Sequence, residues 1–166
     1  MREKIYHIIL CGKTIGLSFD SYSKQPTAHA VFKYLSVVFE GEPDLRRSVQ
    51  ARRSFGMTLL TGVCRQLYQD TYTLMYGKNK WWFMKQNFLF NFVVMEQRLN
   101  SQQCKAFTQI TVNGDLPVPS VLEMLPNLQR VELTLPVSGA TGGWYNVVRE
   151  NGKRPELKRQ SRLHDL

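Results

Sequence analysis

Residues 106–135 read AFTQITVNGDLPVPSVLEMLPNLQRVELTL, and this stretch decides the fold of the second half of the chain. Aromatic and β-branched residues favour a strand over 106–112, and an Asn-Gly turn dipeptide ends this segment. Two prolines then introduce a short helix over 120–125, and a second strand follows over 130–135. The stretch therefore predicts a compact strand–helix–strand unit.

The sequence before this unit predicts helices with short strands between them. The helical segments, each with apolar residues three and four positions apart, are 2–10, 26–40, 59–75 and 87–99. The strands, one alternating and one aromatic, are 14–19 and 80–83. The β-branched and aromatic residues of 26–40 leave a strand pair open as the alternative there. The predicted class is α+β.

The composition changes after residue 136. Three glycines lie between positions 139 and 143, and from Arg149 onward only three leucines stand among many charged residues. A segment with so little apolar surface to bury is expected to stay flexible. We therefore expect one α+β domain over 1–136, in which the first helix is incomplete, followed by a Gly-rich loop and a basic, flexible tail over 137–166.

The composition of the whole chain limits the class of protein. Its 166 residues are 43% hydrophobic and 11% aromatic, which excludes a disordered polymer. No apolar run approaches the roughly 18 residues of a membrane span, and the first residues do not form a secretory signal. We expect an intracellular protein of the nucleus or cytoplasm that does not bind a membrane.

No residue pattern predicts catalysis, a metal site or a cofactor. Gly12-Lys13-Thr14 matches the end of a phosphate-binding loop, but His7 occupies the position where that loop begins with glycine. His7 and Cys11 are four residues apart, yet a structural zinc site needs four ligands and no CxxC or HxxxH pair supplies the others. We therefore expect a protein that is not an enzyme.

Basic residues form two clusters that suit nucleic-acid phosphates. The chain carries 22 lysines and arginines against 13 acidic residues, a formal net charge of +9. The clusters, together with one tryptophan placed outward for base stacking, comprise Arg46, Arg47, Arg52, Arg53, Lys153, Arg154, Lys158, Arg159 and Trp82. Solvated surface charge or a nuclear import signal explains the basic residues equally well. Packing under a loop is the alternative for the tryptophan. Nucleic-acid binding is therefore the alternative function.

Two neighbouring segments in the middle of the chain carry a motif. Residues 59–70 read LLTGVCRQLYQD, and residues 74–83 read LMYGKNKWWF. This pattern resembles a large fungal F-box-like family of unknown function, which has L-x-x-C-R-Q-I-x-x-E followed by Y-x-x-N-x-F-x-F. The matching positions are Cys64, Arg65, Gln66, Tyr76, Asn79, Trp81 and Phe83. The start of the chain is similar to the opening helix of that family at Arg2, Ile5, Tyr6 and Ile9.

The resemblance implies a protein-recognition module, and its link to F-box proteins implies a substrate adaptor of a cullin-based ubiquitin ligase. The opening helix would then bind the adaptor subunit of the ligase. The unit over 106–135, which resembles one turn of a leucine-rich repeat, would form the recognition surface. The apolar helical stripe around Cys64 favours a structural role for the motif over direct contact with a partner, and both interpretations stay open.

Overall fold

Two long strands lie near the start of the chain, and short helices alternate with short strands after them. This computed structural model describes residues 4, 6, 10–23, 31–39, 69, 71–137 and 139–160. In chain order the elements are β1 (Thr14–Ser23), β2 (Val31–Phe39), α1 (Leu74–Gly77), β3 (Lys80–Phe83), α2 (Gln86–Phe90), a π-helix (Asn91–Met95), α3 (Ser101–Ala106), β4 (Gln109–Asn113), α4 (Pro119–Met124), β5 (Arg130–Thr134), β6 (Gly143–Val148) and β7 (Glu156–Arg159). The predicted α+β class is confirmed. Most of the helices predicted over 2–10 and 59–75 lies outside the described residues.

The chain divides into two compact units, Met1–Trp82 and Phe83–Leu166. This division falls within β3. The change in composition after residue 136 does not mark the end of a folded unit, because the second unit continues through β6 and β7.

The first unit contains strands in the order β2-β1-β3. β1 and β2 run antiparallel, from the pair Thr14–Phe39 to the pair Ser23–Val31. β1 confirms the strand that alternation predicts and extends it by several residues. β3 confirms the predicted aromatic strand.

β2 corrects the helix that spacing predicts over 26–40. Its sequence is VFKYLSVVF, in which valine, phenylalanine and tyrosine take six of nine positions. Those side chains fit a pleated strand better than a helix because their χ1 freedom is limited against a preceding helical turn. The partner β1 pairs with the backbone of β2 along its whole length, and local spacing carries no information about that partner.

The second unit contains strands in the order β4-β5-β6-β7. β4 and β5 are parallel, with Gln109 opposite Arg130, and α4 lies in the connection between them. The predicted strand–helix–strand unit is therefore confirmed. α2 continues directly into the π-helix and ends at Met95, earlier than the helix predicted over 87–99.

The segment expected to be a flexible tail contains β6 and β7, and this corrects the sequence prediction. β6 pairs antiparallel with β5, and β7 pairs antiparallel with β6. Tyr145 of β6 is buried, and its hydroxyl donates a hydrogen bond to the carbonyl of Thr141 at 2.6 Å. β6 has the sequence GWYNVV, whose aromatic and β-branched residues favour a strand, and pairing with β5 stabilises it.

The core of the second unit lies on one face of its strands. Alternate residues of β4 and β5 meet side chains from the helices there. The buried members include Leu89, Val93, Ile110, Val112, Val121, Leu122, Val131 and Leu133. Each such side chain stabilises the fold by roughly 1.5–3 kcal/mol when it leaves water. Because α2 contacts β4 and α4 contacts the π-helix, the helices cover this apolar face.

Candidate functional site

The side chain of Asn79 forms hydrogen bonds with three backbone groups of the first unit. Its Nδ2 donates to the carbonyl oxygens of Leu10, at 2.6 Å, and Met75, at 3.0 Å. Its Oδ1 accepts a hydrogen bond from the backbone N–H of Lys13 at 2.9 Å. Asn79 is only 9% exposed, so these bonds satisfy an amide that is shielded from water. One motif residue therefore connects the start of β1 to the end of α1.

Two aromatic motif residues of the first unit, Tyr76 and Trp81, lie close to this amide. The indole Nε1 of Trp81 donates to the same carbonyl of Met75 at 3.0 Å. The ring of Trp81 stacks on Tyr76 with 5.2 Å between centroids. In the second unit, the rings of Phe83 and Phe92 are 6.2 Å apart. The described motif residues thus make hydrogen bonds and ring contacts within the protein, which supports the structural interpretation of the motif.

Several predicted site residues lie outside the described part of the chain. They are Arg2, Ile5, Ile9, Arg46, Arg47, Arg52, Arg53, Cys64, Arg65 and Gln66. Tyr6 is described, and it is helical and half-buried.

The basic residues of the C-terminal segment lie close to carboxylates. Lys153 Nζ is 2.8 Å from one oxygen of Glu150, and Lys158 Nζ is 3.9 Å from the other. Arg154 Nε is 3.7 Å from Glu123 Oε1. These exposed pairs reduce the positive charge that the segment offers to phosphates, although each contributes little to stability.

Trp82 is buried, with 7% of its surface exposed, and this corrects its outward placement. The three residues of β3 from Trp81 to Phe83 are all buried, so both faces of this strand are shielded from water. A ring this shielded offers no open face for stacking on a base. Arg159, at the end of β7, is exposed.

The strands of the second unit present polar side chains on the face opposite the core. The strand registers place these side chains together, and we call the set the polar face. It consists of Gln109, Thr111, Asn113, Arg130, Glu132, Thr134, Trp144, Asn146 and Lys158. Most of these side chains are exposed or half-buried. The polar face is therefore a candidate contact surface.

Several side chains of the polar face hold one another in place. The guanidinium carbon of Arg130 lies 5.5 Å from the ring centroid of Trp144, within range of a cation–π interaction. Arg130 Nη2 also donates to Gln109 Oε1 at 3.2 Å. Thr111 Oγ1 donates to Glu132 Oε2 at 2.9 Å. These contacts order the surface before any partner arrives.

A cleft of about 400 Å³ adjoins the polar face at Asn113. It is lined by Met84, Lys85, Gln86, Asn87, Asn113, Gly114, Asp115, Leu135 and Val137. Three of these are large apolar side chains exposed to water, and Val137 is the most open at 81%. Leu135 has a backbone φ of 48°, a left-handed conformation that costs an L-residue roughly 1–2 kcal/mol. The rim of the cleft therefore combines exposed apolar surface with local strain.

Two backbone hydrogen bonds fix the loops that form this rim. The N–H of Gly114 donates to the carbonyl of Thr134, and the N–H of Val137 donates to the carbonyl of Gly114, each at 3.1 Å. Gly114 has a φ of +88°, which glycine adopts without the steric cost of a Cβ. The Asn-Gly turn of the sequence thus becomes the base of the cleft.

Arg149, just after β6, binds the carboxyl end of α4. Its Nε donates to the carbonyl of Pro126 at 2.9 Å, and its Nη2 donates to the carbonyls of Leu122, at 3.0 Å, and Leu125, at 2.7 Å. Partial burial lowers the pKa of Arg149. A guanidinium at this helix end satisfies carbonyls that have no partner within the helix.

The described cysteines are free thiols, and neither has the environment of a nucleophile. Burial raises the pKa of the Cys104 thiol, which contacts the carbonyl of Leu99. Burial also raises the pKa of Cys11, and the positive charge of Lys78 lowers it by a smaller amount. Over the described residues, no group of three histidine, cysteine or carboxylate side chains is placed to hold a metal ion. No helix within the described ranges has the length and apolar character of a membrane span.

The geometry adds Arg130, Trp144 and Asn146 to the candidate residues that the sequence indicated. Alternation along 130–135 already predicts that Arg130 points away from the core, whereas the register that brings Trp144 and Asn146 beside it is not a local signal. Comparisons with family models, curated proteins and solved structures found no match for this chain. The polar face and its cleft are therefore interpreted from their own geometry.

Proposed function

We propose that this chain is an intracellular, non-enzymatic protein-recognition module of the nucleus or cytoplasm. The observation that carries the proposal is the polar face, where Arg130 lies over Trp144 beside the exposed Asn146. Tryptophan and arginine are over-represented among the residues that dominate binding free energy at protein interfaces. Their position on paired strands holds them in a fixed arrangement.

The cleft next to the polar face supports the same proposal. Met84, Leu135 and Val137 expose apolar surface around a depression that also contains amide and charged groups. Neighbouring exposed apolar side chains with a polar surround are typical of protein-contact sites. A partner that covers the polar face would bury this rim as well.

The F-box-like resemblance supports a role as a substrate adaptor of a cullin-based ubiquitin ligase. Under this proposal the N-terminal helix that includes Tyr6 binds the adaptor subunit of the ligase, and the second unit binds the substrate. Mixing the purified chain with a recombinant cullin adaptor tests the first step directly. A stable complex on size-exclusion chromatography is the expected result, and separate elution at micromolar concentrations would contradict the adaptor role.

Affinity capture from cells with quantitative mass spectrometry tests the recognition surface. Arg130→Ala and Trp144→Ala are expected to lose proteins that the unsubstituted chain captures. Asn127→Ala, an exposed substitution away from the polar face, is the matched control and should capture the same proteins as the unsubstituted chain. Thermal unfolding of each variant checks that it is folded. If folded Arg130→Ala and Trp144→Ala variants capture an unchanged set, the polar face is not the recognition surface.

A further inference from the structure

The polar face contains a row of hydrogen-bond donors that crosses all four strands of the second unit. The registers place Gln109 opposite Arg130, Arg130 opposite Asn146, and Asn146 opposite Lys158. We call these four residues the donor row. Gln109 is half-buried, and the other three are exposed.

The donor row has a positive character. It consists of two cations and two carboxamides, each of which presents N–H donors. Lys158 lies 3.9 Å from Glu150, and both side chains are at least half exposed. A contact of that length and exposure contributes little free energy and is readily exchanged for another carboxylate. The row therefore favours a ligand that brings negative charge.

Arg130 is held by two contacts within the polar face. The cation–π contact with Trp144 and the hydrogen bond to Gln109 restrain its guanidinium before binding. A restrained guanidinium loses less side-chain entropy when it binds a carboxylate, and it matches the two oxygens of that group.

We propose that the donor row binds an acidic, extended segment of the partner protein, an inference that rests on the proposed function. Neighbouring strands lie about 4.8 Å apart, so Arg130 and Lys158, two strands apart, are separated by about 10 Å. A polyproline-II segment has three residues per turn and rises about 3.1 Å per residue, which places acidic side chains three positions apart on one side at about 9 Å. The carboxamides of Gln109 and Asn146 are then available to the peptide backbone.

A protein segment fits the donor row better than a nucleic acid does. The row supplies only two cations, whereas a nucleic-acid site neutralises a run of phosphates. Trp82, the tryptophan considered for base stacking, is buried. Two carboxylates and a polar backbone match the number and type of groups present.

Fluorescence anisotropy with the full chain tests this proposal. The probe is a short proline-rich peptide with glutamate at every third position, and the control peptide has glutamine at those positions. We expect the glutamate peptide to bind and the glutamine peptide to bind at least about tenfold more weakly, since charged hydrogen bonds contribute more than neutral ones. Arg130→Gln and Lys158→Gln should each weaken binding of the glutamate peptide by about tenfold. Arg154→Gln removes one positive charge outside the row and should leave binding unchanged.

The controls separate the failure of this inference from the failure of the proposed function. Equal weakening by Arg154→Gln and Arg130→Gln would show that net charge alone attracts the peptide and would overturn the inference. Tighter binding of a single-stranded RNA than of the glutamate peptide, with the same dependence on the donor row, would also overturn it. If Arg130→Ala still abolishes capture of cellular partners while the glutamate peptide fails to bind, the proposed function stands and this inference fails.

Discussion

The side chain of Asn79 forms hydrogen bonds with three backbone groups of the first unit, and Asn79→Ala should therefore destabilise that unit. The substitution leaves the Leu10 carbonyl and the Lys13 N–H without their amide partner in a shielded place. Leaving such groups unsatisfied costs about 1–3 kcal/mol in the free energy of unfolding. Urea unfolding followed by tryptophan fluorescence measures the loss, because Trp81 lies beside the amide.

Asn127→Ala is the matched control for this prediction. Asn127 also donates from its side-chain amide to a backbone carbonyl, that of Lys105 at 2.8 Å, but it is exposed. Water replaces its lost hydrogen bond, so the change should be a few tenths of a kcal/mol, on the order of other surface substitutions. Equal unfolding midpoints for Asn79→Ala and the unsubstituted chain would contradict the role assigned to Asn79.

Burial of the Cys104 thiol should make the folded chain less stable in alkaline solution. Its pKa is raised in the folded chain by burial, so the folded state holds the thiol proton more tightly than the unfolded state does. This contribution is fully present below the unfolded pKa of about 8.5, and it is lost as pH rises toward the higher folded pKa. Urea unfolding at a series of pH values should show a shallower alkaline decline in Cys104→Ala than in the unsubstituted chain. Parallel declines would show that the thiol does not contribute.

At the scale of elements, the carboxyl end of α4 depends on an arginine that lies beyond β6. Arg149→Lys should lower the free energy of unfolding by roughly 1–2 kcal/mol, because one ammonium cannot reproduce the two guanidinium nitrogens that contact three carbonyls. Chemical denaturation measures this change. Arg154→Lys retains an exposed charge near the same helix and should have almost no effect, so equal losses in the two variants would refute the capping role.

The sequence predicted those elements whose signals are local. The unit that contains β4, α4 and β5 was predicted because strand-favouring residues, two prolines and an Asn-Gly turn all lie within 30 residues. β2 was predicted as a helix because its spacing fits both structures, and only pairing with β1 decides between them. β6 was missed although its tryptophan, tyrosine and two valines favour a strand, because the glycines before it and the charged residues after it dominated the interpretation of 137–166.

The candidate site also depends on contacts between strands that the sequence does not specify. Outward-pointing side chains of β5, such as Arg130, follow from alternation in one strand. The contact between Arg130 and Trp144 does not, because it joins two strands whose register the sequence does not reveal. Trp82 was placed outward because alternation normally separates two faces, but both faces of β3 are covered.

At the scale of the whole molecule, the structure predicts that residues 137–160 are required for the fold of the second unit. A chain that ends at residue 136 lacks β6, β7 and Arg149, and it exposes the edge of β5. We expect this truncated chain to unfold at a clearly lower temperature, or to lose cooperative unfolding, in differential scanning calorimetry. A chain that ends at residue 160 retains all of those elements and should unfold like the full chain. Unchanged unfolding of the shorter chain would restore the interpretation of this segment as a tail.

The hydrogen bonds from Arg149 to the carboxyl end of α4 also have a consequence for synthesis on the ribosome. Residues 119–124 leave the exit tunnel before residue 149 does, so the carbonyl groups at the end of this segment are hydrated until then. The guanidinium can bind those carbonyls only after residue 149 has emerged, and the second unit completes its structure after that point.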